Sequence, residues 1–278
     1  MKDLEGKTAV ITGAGSGIGR SLATNLAERG MAIAISDVDE AGLAETVEMC
    51  KKLGARALGY RLDVADRDAV YAHAEQVRDD FGPANVLVNN AGVALSATIE
   101  EMSWEDFHWL MDIDFWGVAH GTKAFLPQLI DSGDAHIANV SSVFGLMGIP
   151  SQSAYNSAKF AVRGFTEALR QEMILSGHKV GVTCVHPGGI KTNIAANARG
   201  TGKTPEEIAK AAKGFDKIAM TTPDGAAKAI IRGIRHNKPR VLIGADARFF
   251  DAVPRVVGGR YEDVVGRLGK IGGVADRL

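Results

Sequence analysis

Cysteine is nearly absent from the chain: Cys50 and Cys184 are its only two. They lie far apart and form no C-x-x-C, which removes the basis for a disulfide framework and leaves them as core or half-buried thiols. The seven histidines show no zinc-ligand spacing, so no metal is expected. Neither sign of charge dominates. Thirty-two Lys and Arg against 33 Asp and Glu are interspersed without a long block of one sign, and a nucleic-acid-binding surface has no support. No apolar run approaches the ~18 residues of a membrane span. The opening Met-Lys-Asp-Leu-Glu-Gly-Lys lacks the apolar core of a secretory leader, so a soluble, cytoplasmic protein is expected. No internal repeat and no clear interdomain linker is visible.

Glycine is abundant, at 33 against 8 prolines, and the chain is 46% hydrophobic over 278 residues, enough for a sizeable core. Its glycines punctuate ordered segments. The β-type run of residues 7–12 meets Gly13-Ala14-Gly15-Ser16-Gly17-Ile18-Gly19, and Ile18, Leu22, Leu26 and Ala27 then recur at helical spacing. Strand, glycine loop and helix in that order predict a phosphate-binding turn. Gly13, Ser16, Gly17, Ile18 and Gly19 let the backbone approach a pyrophosphate, and the helix N-terminus offers free N–H groups.

A second strand, residues 31–37, ends in Asp37, about 20 residues beyond the loop, where dinucleotide folds place the group that holds a ribose 2′-OH. A carboxylate accepts hydrogen bonds from that diol and repels a 2′-phosphate. With no cation directly after it and none at Ser16, NAD is expected rather than NADP; the plainer role for Asp37 is a helix cap. A helix over about residues 40–53 leads to a strand over 55–62 and then Asp63-Val64. Asp63 is placed either to meet an adenine or to cap the helix starting near Asp66. The continuous apolar strand of residues 83–88, of the kind covered on both faces, runs into Asn89-Asn90-Ala91-Gly92. Repeated strand–helix alternation with short loops predicts an α/β fold with a doubly wound parallel sheet, and ligands in such sheets bind beyond the C-terminal strand ends.

The densest chemistry lies in residues 142–159. Tyr155 and Lys159 are four residues apart, hence on one face of a helix beginning after Pro150. A nearby ammonium favours phenolate and lowers a tyrosine pKa, which makes Tyr155 a candidate general acid/base. Ser142 follows the apolar run 137–140, at a strand end aimed at the start of that helix. The Tyr-x-x-x-Lys pair is common by chance and carries weight only in this company.

Taken together, Thr12-Gly13-x-x-x-Gly17-x-Gly19, Asn89-Asn90-Ala91-Gly92, Ser142, Tyr155-x-x-x-Lys159, and Pro187-Gly188 followed by Thr192 resemble the short-chain dehydrogenase/reductase family in order and spacing, over about residues 5–243. The resemblance implies a Rossmann-like three-layer α/β/α domain with a sheet of about seven strands. It implies that Tyr155 exchanges the proton of an alcohol or ketone oxygen, that Ser142 hydrogen-bonds that oxygen, and that Lys159 holds the nicotinamide ribose and lowers the Tyr155 pKa. It also implies cofactor contacts from Asp63, Val64, Asn90, Ala91, Gly92, Pro187, Gly188, Ile190 and Thr192. One position departs from the family pattern: Asp114, in Ile113-Asp114-Phe115-Trp116-Gly117, stands where such enzymes carry an asparagine that places a proton-relay water beside the lysine. The relay is expected to be retained but altered.

A long helix pattern over about residues 103–131 carries Trp104, Phe107, Trp109, Leu110, Phe115 and Trp116 and reads as core or subunit contact. Similar enzymes pair this helix and the Tyr155 helix with copies in a second subunit, which implies a homotetramer or homodimer. His186, before Pro187, is read as a packed or exposed residue with no catalytic role. The resemblance also implies a substrate lid over residues 191–220, with Ile194, Ile208, Phe215 and Met220 as apolar contacts or as packing residues. Helix 223–235 and strand 240–243 complete the domain, taken as residues 1–243. Residues 244–278 read as an extension of short helices on the body or a neighbouring subunit, a membrane anchor being the weaker reading. The function expected is NAD-dependent interconversion of a hydrophobic secondary alcohol and a ketone or aldehyde. A catalytically impaired NAD-binding regulator, motivated by Asp114, is the alternative. A methyltransferase could share the sheet and glycine loop but has no need of Tyr155 and Lys159 beside Ser142.

Overall fold

Seven short apolar strands pair into one sheet in the order β3-β2-β1-β4-β5-β6-β7, with every pairing parallel. The computed structural model describes residues 1–200, 204, 206, 214 and 219–271. The strands are β1 (Thr8–Thr12), β2 (Ala32–Asp37), β3 (Ala57–Arg61), β4 (Val86–Asn89), β5 (Ala135–Val140), β6 (Val180–Pro187) and β7 (Arg240–Ile243). β1, β4 and β5 are buried along their whole length, as the unbroken apolar runs require when helices cover both faces. The strand order reverses between β1 and β4, which sets the crevice beyond their C-terminal ends.

The helices that cover the sheet are α1 (Gly17–Ala27), α2 (Glu40–Lys52), α3 (Arg67–Phe81), α4 (Trp104–Met111), α5 (Gly117–Asp131), α6 (Ser153–Leu175) and α7 (Pro223–Arg235); α8 (Ala245–Val257) and α9 (Tyr261–Ile271) follow β7. Leu22, Leu26, Ile230 and Ile234 of α1 and α7 fill one side of the sheet against Ile11 and Ile33. Phe125, Leu129 and Leu169 of α5 and α6 fill the other against Val10, Leu87 and Ile137. Each side buries its apolar stripe at about 25 cal/mol per Å², the main force holding the layers together. The sheet and its two helical layers are the doubly wound architecture expected from the sequence.

The helix expected over residues 103–131 is interrupted. Between α4 and α5, Asp112–Trp116 forms a π-turn in which the Gly117 N–H bonds back to the Asp112 carbonyl. Asp114 lies within this turn, on the same face as the buried Leu110 four residues earlier, and is fully buried. Several expected lid residues, including Ile208, Phe215 and residues 201–203, lie outside the described residues, as do residues 272–278. Of the others, Ile194 is half-buried and Met220 is exposed. No helix among the described residues is long and apolar enough to cross a membrane.

Candidate active site

The glycine loop leaves β1 and enters α1 at Gly17. Ser16, in extended conformation, makes no side-chain bond to the first turn of the helix, so that turn keeps N–H groups for an anion. Two glycines are sterically required. A Cβ on Gly19 would overlap the Gly13 carbonyl and lie 2.8 Å from Asn90 Nδ2, while Gly13, at φ +65°, would bring one 2.7 Å from the Ala91 Cα. The Asn-Asn-Ala-Gly turn is therefore a strut under the loop. Asn90 Nδ2 donates to the Thr12 and Gly13 carbonyls at 2.9 and 3.0 Å, and the Asn90 and Ala91 N–H groups donate to Thr12 Oγ1. Thr192 stands on the other side of the loop, 3.2 Å from where a Gly17 Cβ would be.

Asp37 faces this loop. Its Oδ2 accepts the Gly15 N–H at 2.8 Å and its Oδ1 the Asp39 N–H at 3.0 Å. The capping role belongs to Asp39, which accepts from Gly42 N at 3.1 Å, so Asp37 is not the cap of α2. The same division holds after β3. Asp66 caps α3 through the Ala69 N–H, while the exposed Asp63 accepts the Ala65 N–H, which corrects the capping alternative for Asp63. Val64 is buried beneath Gly117.

Ser142, Tyr155 and Lys159 converge beyond the ends of β4 and β5. Ser142 follows β5 and caps a 3-10 turn, its Oγ accepting the Phe144 N–H at 3.2 Å. Tyr155 lies in the first turn of α6, edge-on to Phe144 at 5.9 Å between ring centroids. Lys159 is buried one turn on, with Nζ 5.5 Å from the Tyr155 ring centroid and 3.3 Å from the Val140 carbonyl that accepts from it.

Asp114 enters the same cluster from the π-turn. Its Oδ2 lies 3.1 Å from Lys159 Nζ, an ion pair with both groups buried, and its Oδ1 accepts the Val93 N–H at 2.7 Å. Burial opposes the Lys159 charge, but Asp114 and Tyr155 outweigh it and hold the ammonium form. Burial pushes the Asp114 carboxyl up, against the pull of Lys159 and the Val93 N–H. For Tyr155 the sequence expectation needs correction. Lys159 does favour the phenolate, as does the nearby Ser142 hydroxyl. Burial acts first and upward, however, and the Asp114 carboxylate adds to it, so the phenol stands above its usual pKa. The lysine charge that should lower it is shared with the Asp114 carboxylate.

Other residues support this cluster without a sequence signal of their own. His186 is wholly buried beneath Ser142, with Nδ1 2.8 Å from the Ser142 carbonyl. A carbonyl only accepts, so Nδ1 carries the proton, and burial holds the ring neutral with a pKa lowered to about 4. Of the packed and exposed readings of His186, the structure shows the packed one, with the ring anchoring the main chain under Ser142. Ser141 Oγ donates to the Lys159 carbonyl at 2.8 Å, tying β5 to α6. Asn156 holds the loop between them, donating to the Phe144 and Met147 carbonyls and accepting the Ile149 N–H.

Residues 7–202 match the family model described as short chain dehydrogenase. A Mycobacterium tuberculosis protein named as an oxidoreductase, SadH, is 52% identical over 95% of this chain and 96% of its own length. Among solved structures, a short-chain dehydrogenase/reductase from Burkholderia phymatum in complex with NAD is 32% identical, with TM-score 0.83 over 95% of this chain and 96% of that one. An alcohol dehydrogenase from Thermococcus sibiricus complexed with 5-hydroxy-NADP is 28% identical, with TM-score 0.72 over 84% of this chain and 93% of that one.

Proposed function

The chain belongs to the short-chain dehydrogenase/reductase family, and we propose that it is an NAD-dependent oxidoreductase that interconverts an apolar secondary alcohol and its ketone or aldehyde. The observation that carries this reading is the meeting of Ser142, Tyr155 and Lys159 beside a glycine loop whose helix start is left uncapped. The loop fits a dinucleotide pyrophosphate, since Gly13 and Gly19 leave no room for side chains and Asp37 presents a carboxylate at its edge. Around that site, Ala91, Gly92, Val64, Ile190 and Thr192 are the further residues that would hold the cofactor. When bound, its nicotinamide supplies or takes up the hydride at the substrate carbon. The protein moves the proton. In reduction, the Tyr155 hydroxyl gives its proton to the carbonyl oxygen, which Ser142 orients by a hydrogen bond; in oxidation the phenolate takes it back. Lys159 stabilises the phenolate and is positioned for the ribose side of the cofactor. Phe144 beside Tyr155, and Phe250 of α8 at 6.3 Å from Phe144, give the substrate side an apolar character that favours a hydrophobic ketone over a sugar.

The Asp37 carboxylate supports NAD over NADP because a 2′-phosphate would meet a like charge. Fluorescence titration is expected to give NADH binding about tenfold or more tighter than NADPH. Asp37→Asn, which keeps an acceptor for Gly15, is expected to shrink that ratio. Tighter NADPH binding by the wild type would reverse the cofactor assignment and leave the fold untouched.

Trp104, Trp116 and Phe160 stand partly exposed on α4, the π-turn and α6, which supports a homotetramer or homodimer built on those helices. A cytoplasmic location belongs to the same reading, and no helix among the described residues is long and apolar enough to cross a membrane. A second reading, an NAD-binding regulator with impaired catalysis, is favoured by one observation: Asp114 occupies the Lys159 ammonium at 3.1 Å. It predicts NADH binding without turnover of any ketone, and Asp114→Asn would then restore turnover.

A further inference from the structure

The two helices after β7 meet both halves of the site. In the first turn of α8, Asp246 turns its carboxylate back onto the loop that follows β6. Oδ2 accepts the Gly189 N–H at 2.6 Å and Oδ1 the Ala247 N–H at 2.9 Å. The fit is close enough to dictate sequence: a Cβ on Gly188 would overlap that carboxylate. From Gly189 the loop runs on through Ile190, which bridges to Thr221, to Thr192 against Gly17 of the glycine loop. Farther along α8, Phe250 packs on Phe144, whose ring meets Tyr155. Asp251 pairs with Arg240 at 2.7 Å and anchors the helix to β7. At the start of α9 the Tyr261 hydroxyl accepts the Gly148 N–H at 3.2 Å.

We propose that Asp246 is a positioning residue of the cofactor site, acting through the Gly189 N–H, and that α8 links the cofactor-side loop to the apolar wall beside Tyr155. The inference rests on the dinucleotide site proposed above. A carboxylate accepting a main-chain N–H is a charge-assisted bond, stronger than a neutral one, and it fixes a backbone segment that has no side chain at 188 or 189 to hold it. Because one short helix bears both Asp246 and Phe250, ordering the loop around a cofactor orders the wall that faces the substrate.

Titration with NADH is the test, since it needs no substrate. Asp246→Ala is expected to raise the Kd for NADH about tenfold. Asp246→Asn, whose amide oxygen still accepts from Gly189, is expected to stay within about threefold of wild type. An Ala variant that binds as wild type does, or an Asn variant as weak as Ala, overturns the positioning role. Hydrogen exchange on the wild-type protein reads the link without any substitution. NADH is expected to slow exchange in residues 187–192 and in α8 together, and slowing in the loop with none in α8 overturns the coupling. Wild-type protein that binds no NADH at all would instead refute the proposed function.

Discussion

Replacing Tyr155 with phenylalanine is expected to lower turnover about 10²–10⁴-fold, the range a positioned general acid/base contributes, while the Kd for NADH changes little. The asymmetry follows from the geometry. The phenol hydroxyl is the proton donor of the proposed reaction, whereas the ring packs on Phe144 through contacts that phenylalanine keeps. Phenylalanine removes the hydroxyl alone, so loss of turnover with intact binding isolates proton transfer. Steady-state kinetics on any ketone turned over by the wild type, paired with NADH titration, reads both quantities. A variant retaining more than about a tenth of wild-type turnover would remove Tyr155 from the acid/base role.

The second large effect is expected at Asp114. Asp114→Ala leaves the buried Lys159 ammonium without its carboxylate and the Val93 N–H without its acceptor. Breaking a buried ion pair from one side typically costs about 3–5 kcal/mol. For a domain of this size that lowers the melting temperature on the order of 10 °C, measurable by circular dichroism. Asp114→Asn keeps an oxygen for Val93 and is expected to lose far less. It also separates stability from chemistry. The Asp114 carboxylate raises the Tyr155 pKa, so removing its charge lets Lys159 act alone and lowers that pKa. Alcohol oxidation needs the phenolate and rises with pH toward the Tyr155 pKa; the rising limb should therefore move to lower pH in the Asn variant. An unmoved limb would mean that the Asp114 charge does not reach the phenol, and an Ala variant as stable as wild type would mean that the pair contributes nothing net.

Most of the frame that positions these groups can be read from local sequence. The alternation of strand and helix signals gives the sheet, and the limits of α7 and β7 coincide with the segments marked by Pro223 and by the run Arg240 to Ile243. Local signals fail where a register or a distant partner decides. The apolar period of residues 103–131 is continuous, so nothing in it marks the π-turn at Asp112–Trp116 that carries Asp114. Asp114 was visible only as a departure from a family pattern, and its consequence depends on a lysine 45 positions away. Asp37 was legible as a strand-end acid, but its separation from the capping role needed the Asp39 bond to be seen. Asp246 and His186 act on main-chain atoms of remote residues, Gly189 and Ser142, contacts that leave no spacing for a motif to record.

Hydride transfer itself is tested most directly with NADH carrying deuterium at both C4 positions, incubated with the enzyme and a panel of apolar ketones, with mass spectrometry of the alcohol formed. The account predicts one deuterium on the carbinol carbon, in step with NADH oxidation and lost in Tyr155→Phe. Bound NADH that delivers no deuterium to any ketone, from wild type and Asp114→Asn alike, would contradict it.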